Sequence, residues 1–82
     1  MKTDKIGWES IEKVLDELVE SQRKQLLILG RRTIPRLTAD DVLQPNDYPE
    51  LEFDPQFRYE EGMLAGIQTV QTALKFLRRS IQ

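Results

Sequence analysis

The chain has 82 residues, 39% of them apolar and 32% charged, with four Gly, four Pro, no Cys and no His. That length holds one small domain, and no stretch approaches the roughly 18–20 continuous apolar residues of a membrane-spanning helix. Without Cys or His there are no disulfides, thiolate zinc sites or cysteine nucleophiles, and the usual general base is missing.

The formal net charge of −2 lacks the basic excess of a typical nucleic-acid binder, but it is unevenly spread. Residues 1–37 carry eight Lys/Arg against six Asp/Glu, and residues 58–82 carry four against two. Between them, Asp40, Asp41, Asp47, Glu50, Glu52 and Asp54 stand with no Lys or Arg. These carboxylates are expected to cap helices and to pair with Arg31, Arg32, Arg36 and Arg58. Met1 to Gly7 offers no apolar core of a signal peptide, so a cytoplasmic protein is expected.

A first helix is predicted over residues 8–32. At 3.6 residues per turn, Trp8, Ile11, Val14, Leu15, Leu18, Val19, Leu26 and Leu29 form one stripe. Glu9, Glu12, Lys13, Asp16, Glu17, Glu20, Arg23 and Lys24 fall on the other side. Gly7 is the expected N-cap. Gly30 fits either a left-handed C-terminal cap or the last helical turn, and Pro35 ends the helix. Gln22 and Gln25 interrupt the apolar stripe, either as a polar layer that sets register or as amides reaching water.

Residues 33–54 form a connector too long to stay without structure in a compact domain. Thr38 followed by Asp41 resembles a capping box with Asp in place of Glu, which predicts a short helix near residues 39–43. Pro45-Asn46-Asp47 reads as a turn, and residues 49–53 suit one further helical turn. Leu37, Val42, Leu43, Tyr48, Leu51 and Phe53 supply apolar surface with which the segment can fold back.

Asp54-Pro55 is the firmest punctuation. Asp offers a side-chain acceptor at the N-cap and Pro a preset φ at the first helical position. The second long helix is predicted over residues 55–80, with Met63, Ile67, Val70, Leu74, Leu77 and Ile81 spaced as a coiled-coil seam. The fold class expected is therefore all-α: two long antiparallel helices with a structured acidic connector, within a single domain spanning 1–82.

The remaining apolar surface carries the functional reading. Residues 62–74 contain no charge, and opposite the main stripe lie Ala65, Thr69, Thr72 and Phe76. Leu64, Leu27 and Ile28 adjoin this face near the connector, which is expected to cover part of it. Gly62 and Gly66 each cost about 1 kcal/mol against Ala in a helix interior, a cost that close approach of another backbone offsets. The surface formed by Phe76, Thr72, Thr69, Ala65, Leu64, Leu27 and Ile28 is the expected partner-binding site.

Catalysis is not expected. Glu60 and Glu61 are neighbours that do not face one another, and the four Gly are too scattered for a phosphate loop. No cofactor, small-molecule substrate or metal site is expected, since no carboxylate run has calcium-loop order. Arg31, Arg32 and Arg36 lie at one end of a hairpin and Lys75, Arg78 and Arg79 at the other, which dilutes any basic stripe for nucleic acid. The first helix carries more acid than base on its polar side, which disfavours anionic membrane surfaces.

In outline the chain is similar to the small two-helix accessory and chaperone subunits of bacterial secretion and assembly systems. That likeness is one of shape, with no specific motif. The expected role is a non-catalytic protein–protein interaction module, homodimeric as a four-helix bundle. The alternatives are a chaperone-like subunit for a different protein and, behind it, a dimeric nucleic-acid-associated regulator.

Overall fold

The computed structural model describes residues 6–44 and 47–81. Among them the order is α1 (Trp8–Arg31), α2 (Ala39–Val42), α3 (Pro49–Glu52) and α4 (Pro55–Ile81), with no strand. The two long helices pack against each other as an antiparallel hairpin, and α2 and α3 close its connector end. Met1 to Lys5, Pro45, Asn46 and Gln82 lie outside the described residues, and with them most of the predicted turn. Across that turn the Asp47 amide donates to the Gln44 carbonyl at 3.1 Å.

Local chemistry sets each helix end. Gly7 is extended at the N-cap of α1, and its carbonyl accepts from Ser10 and Ile11. At the other end Gly30 has no positive φ. It lies inside the last turn, where its carbonyl accepts from Thr33 and Ile34. The Arg31 Nε then donates to the Leu37 carbonyl at 2.7 Å, tying the chain after α1 back to the helix. Asp54 Oδ1 accepts from the amides of Gln56 and Phe57 at 3.0 and 3.3 Å, capping α4 at the expected residue.

The capping box of α2 is complete. Asp41 N donates to Thr38 Oγ1 at 3.2 Å, and Thr38 N donates to Asp41 Oδ2 at 3.0 Å. The Thr38 amide, helped by the Thr38 and Tyr48 hydroxyls, holds the Asp41 carboxyl below its ordinary value of 3.8. Burial, and after it the Asp41 charge, pushes the Tyr48 hydroxyl up. A lowered folded-state value means that Asp41 contributes stability fully above the ordinary carboxylate range, and loses it as pH falls through the lowered value. Asp41→Asn is therefore expected to lower the thermal midpoint near neutral pH, with the difference from wild type shrinking as the pH falls below the ordinary carboxylate range. Thermal unfolding followed by circular dichroism across that range checks this, and a pH-independent difference would contradict it.

The core sits at the connector end. Val19, Leu26 and Leu29 of α1, Leu37, Val42 and Leu51 of the connector, and Phe57 and Leu64 of α4 are buried together. Gly30 makes this possible. A Cβ placed there would lie 2.5 Å from Leu37 Cδ2 and 3.5 Å from Phe57 Cε2, so the connector packs directly on the α1 backbone.

The seam between the long helices differs from the predicted stripe of α4. Buried and half-buried positions follow heptad spacing, at Trp8, Glu12, Leu15, Val19, Gln22, Leu26 and Leu29 on α1. On α4 they follow Phe57, Glu60, Leu64, Ile67, Gln71, Leu74 and Arg78. Of the predicted α4 stripe only Ile67 and Leu74 join this seam, while Met63, Val70, Leu77 and Ile81 are exposed. Polar pairs occupy the line that meets α1. Gln22 Nε2 donates to the Glu60 carbonyl at 2.9 Å and to its Oε1 at 2.7 Å. Gln71 Nε2 donates to Asp16 Oδ1 at 2.8 Å, and Arg78 Nη1 donates to Glu12 Oε2 at 2.9 Å.

Candidate interaction surface

The seven residues expected to meet a partner separate into three groups. Ala65, Thr69, Thr72 and Phe76 follow one line along the outside of α4 and are all exposed, Phe76 at 70%. The Thr69 and Thr72 hydroxyls donate to the carbonyls of Ala65 and Gln68, so each is satisfied within its own helix. Leu64, in contrast, is buried in the core. Leu27 is half-buried and shares a depression with Ala39, Val42 and Leu43 of the connector. Neither is a free contact residue, because α2 covers that side of the hairpin.

Ile28 remains exposed. It stands about 100° around α1 from Leu27 and turns away from the connector. Of the connector residues expected to fold over this region, Leu37, Val42 and Leu51 do so, whereas Leu43 and Phe53 stay in solvent, Phe53 at 79%. The connector carboxylates cap more than they pair. Among the described residues the ion pairs are Arg58 with Glu61, and Arg78 with Glu9 and Glu12. None involves Asp40, Asp41, Asp47, Glu50, Glu52, Asp54, Arg31, Arg32 or Arg36.

A larger exposed apolar surface lies elsewhere. Val14 and Leu18 on α1, and Met63, Val70, Leu77 and Ile81 on α4, are each between 44% and 62% exposed. Ile6, Ser10, Ile11, Val14, Leu15 and Leu74 line one shallow depression, where the exposed flank of α1 meets α4. At about 100° per residue the exposed line of each helix is turned by about the same angle, in the same sense, from its own seam, which in an antiparallel pair puts both lines on one broad side. Each long helix therefore carries two adjacent seams. One joins it to its neighbour in the chain, and the other, Ile11-Val14-Leu18-Ser21-Gln25-Ile28 on α1, faces outward. The sequence signal for the second seam is an apolar stripe too wide for one neighbour.

The open half of the hairpin has no interior. Described residues before Val19 in α1 and after Leu64 in α4 include no buried side chain. The radius of gyration is 16.1 Å and the extents are 48 × 29 × 20 Å, against about 12 Å for a compact chain of this length. The accessible surface of 6237 Å² likewise exceeds the roughly 5,100 Å² expected of a folded monomer of this mass.

No described helix is long and apolar enough to cross a membrane. Among the described residues no three His, Cys, Asp or Glu side chains gather as a metal site. Arg78, one of the three cations near the end of α4, is engaged by Glu12 and Glu9. Comparison of the chain with protein families, with curated proteins and with solved structures finds no match in any of the three.

Proposed function

We propose that this chain is a non-catalytic helical protein–protein interaction module of the cytoplasm, which pairs with a second copy of itself as a four-helix bundle. The observation that carries the reading is the open half of the hairpin, where large apolar residues are plentiful and none is buried. Two helices side by side enclose no interior, whereas four do. A catalytic role is disfavoured by the lack of His and Cys. Nucleic-acid binding is disfavoured by the engagement of Arg78 with Glu12.

Size-exclusion chromatography with light scattering over a hundredfold concentration range tests this reading. The expected mass is twice the 9.6 kDa of the chain, falling only on strong dilution. A single chain mass at every concentration would overturn the homodimer. It would leave the second reading, an accessory or chaperone-like subunit for a different protein, for which the exposed line of Ala65, Thr69, Thr72 and Phe76 supplies a separate apolar surface.

A further inference from the structure

We infer that the second copy docks on the broad α1/α4 side, through Val14, Leu18, Met63, Val70, Leu77 and Ile81, and leaves Phe76 outside the dimer. This rests on the homodimer reading and assigns its contact face.

Charge decides between the two surfaces. The outward seam of α1, from Ile11 through Val14, Leu18, Ser21 and Gln25 to Ile28, contains no ionisable residue. Tyr59, Met63, Gly66, Val70, Ala73 and Leu77, the outward seam of α4, contains none either. A two-fold interface sets the same patch against itself, so any charge at its centre is set against a like charge. A patch without charges escapes that cost. On the opposite side the hairpin is heavily charged. There Glu12 and Asp16 share a crevice with Lys75, and Glu20, Arg23 and Lys24 border the connector. A copy seated over Phe76 would cover these groups and desolvate them.

Exposure agrees. The six named side chains are each between 44% and 62% exposed, and the centre of an interface is where large apolar side chains are lodged. The depression lined by Ile6, Ile11, Val14 and Leu74 has an open volume of about 400 Å³, room for side chains of a facing helix. Each helix of a four-helix bundle touches two neighbours, and two adjacent seams per helix, the outward one uncharged, supply both contacts.

Because the chain has no Cys, one introduced thiol reports its own surroundings. Val70→Cys and Phe76→Cys are compared for reaction with a water-soluble maleimide, at concentrations bracketing the association midpoint found by light scattering. The thiol at 70 is expected to react at least about tenfold more slowly at high concentration than after dilution, while the thiol at 76 keeps one rate. In parallel, Leu18→Glu and Val70→Glu are each expected to weaken the dimer about a hundredfold or more, since two unpaired carboxylates are then buried per dimer. Phe76→Glu leaves it intact. Protection at 76 with a constant rate at 70 would overturn the assigned face and keep the homodimer. Constant rates at both positions in a chain of monomer mass would overturn both.

Discussion

Phe57→Ala is expected to remove a large share of the stability of the fold. Phe57 is the largest fully buried side chain, with Leu26, Leu37 and Leu51 also fully enclosed. It stands in the first turn of α4, held there by the Asp54 cap, and its ring reaches the backbone of α1 at Gly30. One side chain thus joins the start of α4, the end of α1 and the connector. Truncating a buried Phe costs about 3–5 kcal/mol, the transfer term plus the cavity left behind. An 82-residue domain has about 4–12 kcal/mol in all. A fall in the thermal midpoint of at least about 15 °C is expected from circular dichroism. A fall of only a degree or two would mean that the hairpin is held by something other than this core.

Gly30 and Gly62 are expected to respond to the same substitution with opposite sign. Gly62 is interior to α4, where Ala is intrinsically better than Gly by about 1 kcal/mol, and Gly30 lies in the last turn of α1, where that gain is at most as large. At Gly62 nothing lies within 4 Å of the added methyl, so Gly62→Ala is expected to stabilise the chain by up to about that amount. At Gly30 the new Cβ falls 2.5 Å from Leu37 Cδ2. Leu37 is fully buried, so its side chain has nowhere to retreat without displacing Leu51 or Phe57. Overpacking of this kind costs about 1–3 kcal/mol, which exceeds the smaller helical gain at the end of α1. Gly30→Val, larger and β-branched, adds further crowding and is expected to be worse than Gly30→Ala. Urea unfolding of the variants checks the order, and a stabilising Gly30→Ala would show that the connector does not rest on the helix backbone.

The element boundaries were legible because each is set by residues a few positions apart. Asp54 with Pro55, Thr38 with Asp41, and Gly7 ahead of Trp8 act through bonds to the adjacent turn, so their sequence neighbours suffice to predict them. The rotation of α4 was not legible in this way. Two heptad lines run along that helix and share Ile67 and Leu74, and apolar content favours the one through Met63, Val70, Leu77 and Ile81. The line that meets α1 contains Glu60, Gln71 and Arg78, whose partners Gln22, Asp16 and Glu12 lie 38 to 66 residues away. Nothing near Glu60 in the chain announces Gln22.

The candidate surface was legible to the same limited degree. Phe76 and the small residues beside it read correctly as outward, because α4 places them opposite any seam. Leu64 and Leu27 could not be assigned to the core without knowing where α2 lands. Gly30 was ambiguous for a similar reason, since the group that fills the space above it is Leu37 from beyond the turn. Val14, Leu18, Val70 and Leu77 lie on the apolar stripes that periodicity predicts for the two helices. Their apolar character is what a bundle seam requires, but it does not say which of two neighbours the seam faces.

With half of this hairpin's core completed by another copy, as proposed, folding and association are coupled. The most direct test is the thermal midpoint of the unmodified chain, measured by circular dichroism over a hundredfold range of concentration. A fully coupled dimer gains about 2.7 kcal/mol over that range by mass action, and the midpoint is expected to rise by several degrees. A midpoint that stays fixed across the range would show that one chain is stable without a second, and would overturn the homodimer.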